Sequence, residues 1–164
     1  MGKYEPAKTK LRASESKRDP CIANIDEIAP ESYERPGIAG TSWDLGEATG
    51  AQAVGVDITE IPPGKNSSHL HAHSHKEEFF YVLSGRCRVR LGDQVHELRP
   101  GDAVSRPAGT GVGHQFSNPY AEPCRVMMLG VPTGKGVEDT VEWPELGRAM
   151  IVDQDGARKI VKRG

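Results

Sequence analysis

The chain has 164 residues, a formal net charge of -2 and a mean hydropathy of -0.55. This length favours a single domain, and the near-balance of 21 basic and 23 acidic side chains excludes a protein held on nucleic acid by its overall charge. No segment approaches the roughly 18 consecutive apolar residues of a membrane-spanning helix, so a membrane is not expected as a partner. With 19 glycines and 12 prolines, the composition favours many turns and short strands over long helices.

The first fifty residues divide into two parts. Residues 1–20 are polar and charged and are predicted to form a mobile segment, without the apolar stretch that a secretory signal requires. Residues 21–50 carry isolated apolar side chains between Pro and Gly, which predicts an irregular arm with a short helix near 24–28. Three widely spaced cysteines, Cys21, Cys87 and Cys124, are typical of reduced thiols in a cytoplasmic protein.

A series of strands is predicted between residues 51 and 131. Seven segments either alternate apolar and polar residues or are rich in aromatic and β-branched ones: AVGVDITEI, EFFYVL, RCRVRL, QVHEL, AVSRP, HQFSN and CRVMMLGV. Turns containing Gly and Pro separate them at a spacing of about ten residues, a pattern typical of an all-β barrel or sandwich. Residues 132–164 follow as a carboxy-terminal arm with one possible helical turn near 144–148.

The segment RCRVRL places three arginines, Arg86, Arg88 and Arg90, on one face of its strand. The intervening apolar residues then face the other side, where the core is expected. A charged stripe of this kind usually lies on the solvent face. Contact with a phosphate group or with a partner is the alternative function for it.

Four histidines stand at every second position, at His69, His71, His73 and His75. Because alternate residues of a strand point to the same side, His71 and His73 can place two imidazoles on one cation. Glu78 has the same parity as Phe80 and is therefore predicted to point into the interior. Imidazoles with a nearby carboxylate suit Zn, Mn, Fe, Ni or Co.

A third imidazole is available at His114, which the surrounding glycines place at the start of a strand, just after a turn. His96 lies beside Glu97 in a polar alternating strand and is expected to be a surface side chain rather than a ligand. His69 and His75 can either orient the metal ligands or lie at the mouth of the site, and the charged surroundings of His75 favour its exposure.

Two motifs in this region resemble those of the cupin superfamily. The first is H-x-H, three or four residues, Glu, six residues and Gly; residues 71–85 match it, although Gly64 stands one residue further upstream than is usual. The second is Gly, five residues, P-x-G, two residues, His, three residues and Asn; residues 101–118 match it, with four residues rather than two before His114. The resemblance covers about residues 45–131. It is nearest to single-domain cupins of the cupin-2 type that are labelled sugar-phosphate-isomerase-like.

This resemblance implies a fold, a cofactor and a site. The fold is all-β, a double-stranded β-helix (the cupin jelly-roll barrel) at residues 51–131, with irregular amino- and carboxy-terminal arms. The implied metal ligands are His71, His73, Glu78 and His114, and the implied cofactor is one divalent ion, Zn, Mn, Fe or Ni. Cupins commonly pair, so a homodimer is expected, in which residues 21–50 pack against the barrel or against the partner.

Three functions remain open from the sequence. The first is a metal-dependent isomerase, epimerase or lyase that acts on a small oxygenated molecule by polarising a carbonyl. The second is a non-haem iron dioxygenase, and the third is a non-catalytic module that binds a metal or a small ligand. The flanks are too short for a helix-turn-helix, so no nucleic-acid partner is expected.

Overall fold

The computed structural model describes residues 19–163, so the predicted mobile segment lies outside the described residues apart from Asp19 and Pro20. The amino-terminal part contains strands β1 (Glu31–Arg35) and β2 (Ile38–Asp44) and helix α1 (Leu45–Thr49). The central part contains β3 (Gly55–Ile61), β4 (Lys65–Asn66), β5 (Ala72–His73), β6 (Glu78–Ser84), β7 (Cys87–Leu91), β8 (Gln94–Leu98), β9 (Ala103–Arg106), β10 (His114–Asn118) and β11 (Cys124–Gly130). The carboxy-terminal part contains β12 (Asp139–Trp143), β13 (Arg148–Val152) and β14 (Arg158–Lys162).

The predicted all-β fold is confirmed. Within residues 19–163, α1 is five residues long and is the one α-helix, and each of the seven predicted segments forms a strand. No helix in this part of the chain is long and apolar enough to cross a membrane. The two-residue strand β4 is too short to give an alternating pattern, so the sequence did not predict it, whereas β5 lies within the histidine tract that was expected to be extended.

Both arms contain more regular structure than the sequence predicts. In the amino-terminal arm, β1 and β2 form an antiparallel hairpin around Gly37, whose φ of 74° suits glycine. β2 also pairs with β3, so this arm extends the barrel sheet of its own chain. In the carboxy-terminal arm, β12, β13 and β14 form an antiparallel sheet that continues onto β5. The predicted helical turns are present as 3₁₀ turns at Ile25–Glu27 and Pro144–Leu146.

The main sheet has the strand order β8-β7-β10-β4-β2-β3-β11-β6-β9, with β1 attached to β2. Phe80 on β6 and Phe116 on β10 are far apart in this order, yet their ring centroids are 4.7 Å apart. The sheet is therefore curled so that its two halves face each other across one interior. The buried core consists of Ile61, Phe80, Val82, Cys87, Val89, Leu98, Phe116, Cys124 and Val126.

Asn118, the last residue of the second motif, has a structural role. Its side chain is buried and its amide nitrogen donates to the carbonyl oxygens of Ile61 and Glu122, each at 2.8 Å. Its amide oxygen accepts a hydrogen bond from the backbone of Tyr120 at 3.0 Å. Asn118 thus fixes the turn between β10 and β11 against the end of β3, since a buried amide with satisfied hydrogen bonds holds one geometry.

The arginine stripe lies on the outer face of β7, as predicted. Arg86 and Arg88 both donate to Glu97 at 3.0 Å, and Arg90 donates to Glu145 at 2.6 Å. The apolar side chains between the arginines are buried in the core. The arginines therefore have partners within the chain, which favours the solvent-face interpretation over a phosphate site.

Two carboxylates face each other on neighbouring strands, because Asp57 on β3 is the cross-strand partner of Asp44 on β2. Burial raises the pKa of Asp57 to about 6, and the negative charges of Asp44 and Glu78 act in the same direction, whereas Lys76 opposes them. The folded state therefore binds this proton more tightly than the unfolded chain does. The stability that the proton contributes is complete below the ordinary pKa of 3.8 and is lost as the pH rises through 6.

We expect Asp57→Asn to stabilise the fold at pH 8 by about 1–2 kcal/mol, a value reduced from the full pKa shift because the side chain is partly exposed. The gain should disappear at pH 4, where the native carboxyl group is already protonated in the folded state. Urea unfolding at the two pH values measures the difference. Asp93→Asn, at an exposed turn, is the control and should change little at either pH. An equal gain from Asp57→Asn at both pH values would contradict the assignment.

Candidate metal centre

The histidine tract and β10 are joined by a pair of backbone hydrogen bonds. The amide of His71 donates to the carbonyl of His114 at 3.1 Å, and the amide of His114 donates to the carbonyl of His71 at 2.7 Å. This bridge brings the two imidazoles together, with ring centroids 4.3 Å apart. His114 is the first residue of β10, as the sequence predicts, and follows the loop at residues 107–113.

Three of the four predicted residues, His71, His73 and Glu78, form one cluster, and His114 adjoins it through Glu78. Glu78, the first residue of β6, places Oε2 at 3.4 Å from His73 Nε2 and 3.2 Å from His114 Nε2. One candidate ligand atom from each of His71, His73 and Glu78 lies within 4.8 Å of the other two. Glu78 and His114 are each 3% exposed, so this cluster is enclosed by protein.

His71 is held as a neutral imidazole. Its Nδ1 lies 2.8 Å from the carbonyl oxygen of His69, so Nδ1 carries the proton and donates it to that oxygen. Burial, followed by the charge of His114, lowers the pKa of His71 to about 4. At neutral pH, Nε2 therefore has a free lone pair that faces the cluster.

A second carboxylate, which the sequence did not predict, orients His73. Asp139 begins β12 in the carboxy-terminal arm and accepts a hydrogen bond from His73 Nδ1 at 2.5 Å. The Asp139 side chain is fully buried and also accepts from the His75 amide at 3.0 Å and the Ser74 hydroxyl at 3.2 Å. Burial alone would raise the pKa of Asp139, but these hydrogen bonds lower it below its ordinary value. Asp139 thus fixes the tautomer of His73 and turns Nε2 towards Glu78.

The two oxygens of Glu78 have different surroundings. Lys76 Nζ lies 2.9 Å from Oε1 and is 14% exposed, whereas Oε2 is buried and has no hydrogen-bond partner among the described residues. Burial alone would raise the pKa of Glu78, but the neighbouring His114 and Lys76 lower it well below its ordinary range. Glu78 is therefore a carboxylate with one oxygen paired and the other directed at the histidines.

A cavity of about 220 Å³ opens beside this cluster and is bounded by His71, Glu78 and His114. Its apolar wall consists of Ile61, Phe80, Phe116, Val126 and Met128, and its hydroxyl groups come from Tyr33, Thr59, Ser67 and Ser68. Tyr33 lies on β1, outside the predicted barrel, in the arm that was expected to pack against the barrel or a partner, and no residue of this arm was predicted to line a cavity. It donates a hydrogen bond to the Ser67 carbonyl at 2.9 Å.

The remaining histidines lie outside the cluster. His75 and His96 are exposed, which confirms the prediction for both. His69 contributes its backbone oxygen to the orientation of His71, not its imidazole. Of the four histidines in the tract, only the two at alternate positions in the middle place their rings in the cluster.

The longer loop of the second motif holds Arg106. This guanidinium donates to the carbonyl oxygen of Val112 at 2.6 Å and lies 3.4 Å from the hydroxyl of Thr110. The loop that contains the two extra residues before His114 therefore supplies hydrogen-bond acceptors to the Arg106 guanidinium. Arg106 does not line the 220 Å³ cavity.

Comparisons with known proteins identify the family and the fold that the chain resembles. Residues 57–130 match the cupin domain family. The chain is 29% identical over 137 residues to Protein SchB of Streptomyces halstedii, an alignment that covers 80% of this chain and 94% of that protein.

Two solved structures share the fold. A protein of Acidithiobacillus ferrooxidans, provisionally described as a sugar phosphate isomerase, is 26% identical with a TM-score of 0.78, over 87% of this chain and 92% of that one. A sugar phosphate isomerase from a cupin superfamily, of Silicibacter pomeroyi, is 26% identical with a TM-score of 0.77, over 86% and 92% of the two chains. The predicted double-stranded β-helix is therefore confirmed, and the chain contains a cupin domain at residues 57–130.

Proposed function

We propose that this protein binds one divalent metal ion through His71, His73, Glu78 and His114. The observation that carries the proposal is the buried Oε2 of Glu78, which lacks a hydrogen-bond partner among the described residues and lies within 3.4 Å of two imidazole nitrogens. A buried anionic oxygen without a partner is costly, and a cation at this point would satisfy it. Three imidazoles and one carboxylate suit Zn, Mn, Fe or Ni.

We propose further that the protein is an enzyme of the isomerase, epimerase or lyase type that acts on a small oxygenated molecule. A bound divalent ion supplies Lewis acidity towards a carbonyl oxygen. The chain's own residues exclude water with the apolar wall of the cavity and orient the substrate with hydroxyl groups. The two structural relatives described as sugar phosphate isomerases support this reaction class.

Metal analysis of protein purified without added metal tests the proposal. Zinc, manganese or nickel at about one equivalent is the expected result. Iron would support the dioxygenase alternative, and a folded protein without metal would support the non-catalytic module and contradict the proposal.

Single substitutions test the ligand set. We expect His71→Ala, His73→Ala and His114→Ala each to reduce bound metal steeply, by about tenfold or more, because each removes one nitrogen from the cluster. Glu78→Ala should have a smaller effect, because three histidines remain. His96→Ala, at an exposed position, is the matched control and should keep full occupancy when metal content is measured by mass spectrometry. Full retention by His114→Ala, or a loss by His96→Ala as large as that by His73→Ala, would show that the set is wrong.

The orienting carboxylate gives a separate prediction. We expect Asp139→Asn to weaken metal affinity about 10–100-fold, because an amide no longer holds the Nδ1 proton of His73 as a carboxylate does. A competition titration with a chelator measures this on protein whose fold has been checked by circular dichroism. Glu142→Gln lies on the same strand, in an ion pair with Arg163, and serves as the control. Equal affinities for the two variants would contradict the role of Asp139.

We also propose that the protein is a homodimer. Alternate residues on the outer face of β6, Phe79, Tyr81 and Leu83, are 42%, 36% and 40% exposed. An apolar stripe of this kind on a sheet face favours contact with a second copy. Sedimentation velocity at micromolar concentration should show a dimer, and Leu83→Glu should shift it towards monomer. A native protein that sediments as a monomer would contradict this part of the proposal.

A further inference from the structure

The cavity beside the histidine cluster is small. Its volume of about 220 Å³ is below the roughly 300–1,000 Å³ of sites that take drug-sized ligands. His71, Glu78 and His114 form one part of its lining, the histidine end, and apolar side chains form much of the rest. A molecule that enters must therefore place its oxygen atoms at the histidine end and a mainly apolar portion against Phe80, Phe116 and Met128.

The cavity offers no positive side chain. Among the described residues, neither a lysine nor an arginine lines it. The basic groups nearest to the cluster lie outside this cavity: Lys76 is paired with Oε1 of Glu78, and Arg106 donates to the Val112 carbonyl, although its buried Nε has no hydrogen-bond partner among the described residues. A phosphate group needs such cations or several free N–H donors, because it presents three strong acceptor oxygens.

The net charge of the site also disfavours a phosphate group in the cavity. A divalent ion together with the carboxylates of Glu78 and Asp139 and the ammonium group of Lys76 gives a net charge of about +1 when the imidazoles are neutral. That charge balances one negative oxygen on a bound molecule. A phosphate monoester carries about -1.5 to -2 at neutral pH, so it would bring excess negative charge into an apolar cavity.

Tyr33 adds a preference for hydroxyl groups. Tyr33 lines the cavity and its O–H is already committed to the Ser67 carbonyl at 2.9 Å, so towards a ligand the phenolic oxygen can act only as an acceptor. Burial raises the pKa of Tyr33, which keeps the group protonated and uncharged. The ring is held over Gly40, where an added Cβ would overlap the phenol. An acceptor in this position favours a ligand hydroxyl, which can donate, and disfavours an anionic oxygen, which cannot.

We infer that the cavity takes a small, unphosphorylated oxygenated compound with an apolar portion, and that Tyr33 is a specificity-determining residue that accepts a hydrogen bond from its hydroxyl group. This inference rests on the proposed metal site for the placement of the carbonyl oxygen. It excludes sugar phosphates as substrates, although two structural relatives are described as sugar phosphate isomerases.

Two α-hydroxyketones with the same number of non-hydrogen atoms test the inference. 2-Hydroxyacetophenone carries a phenyl group where dihydroxyacetone phosphate carries its phosphate-bearing carbon. Isothermal titration calorimetry of the full chain, both Zn²⁺-loaded and metal-free, measures their affinities. We expect 2-hydroxyacetophenone to bind at least about tenfold more tightly in both forms. Tighter binding of dihydroxyacetone phosphate, or no binding of either compound at millimolar concentration, would overturn the inference.

The role of Tyr33 is tested in the same titration. Tyr33→Phe should weaken 2-hydroxyacetophenone binding about 3- to 10-fold, the loss of one hydrogen bond, and should leave Zn²⁺ content unchanged. Tyr81→Phe, which removes a hydroxyl group from the outer face, should change neither quantity. Unchanged affinity in Tyr33→Phe would overturn the assignment of this residue.

The outcomes also separate the inference from the proposed function. A protein that binds Zn²⁺ but prefers dihydroxyacetone phosphate would refute the substrate class and keep the metal centre. A protein that binds no metal would refute the proposed function, and the order of affinities in the metal-free form would still decide the substrate class.

Discussion

A carboxylate buried away from water costs several kcal/mol unless positive groups or hydrogen-bond donors surround it. Glu78 meets this constraint at one oxygen, through Lys76, whereas its other oxygen lies beside two imidazoles without a hydrogen-bond partner among the described residues. The absence of a side chain at Gly130 leaves space for the ion pair between Lys76 and Glu78. A Cβ on Gly130 of β11 would lie 3.0 Å from Cε of Lys76 and 2.9 Å from the Glu77 carbonyl, so a side chain at this position would displace the lysine. The ion pair therefore depends on a glycine in the neighbouring strand.

The second buried carboxylate extends this dependence to the carboxy-terminal sheet. Asp139 accepts from His73 and from two groups of the following turn, so it holds both the ring and the backbone of the tract. β12 reaches the tract because it pairs with β5, with Val141 opposite His73. The orientation of one imidazole thus depends on strand pairing across about 66 residues of chain.

The sequence predicted the barrel strands and the four clustered residues because their signals are local. Alternation over five to nine residues identifies a strand, and H-x-H places two rings on one side whatever the rest of the chain does. His114 was found through a motif with its own spacing. Asp139 and Tyr33 were missed for the opposite reason. Each is a single residue in a short strand, and its role arises from tertiary pairing that no local pattern records.

The match to the cupin domain spans residues 57–130, and residues on both sides of this range contribute to the cavity or orient a histidine of the cluster. The amino-terminal arm contributes a hydroxyl group, and the carboxy-terminal arm contributes an orienting carboxylate. Residues 57–130 alone would also expose the edges of β3 and β5, which β2 and β12 cover in the whole chain. A substitution in either flank can therefore alter the cavity or the orientation of His73 while the histidines and Glu78 stay unchanged.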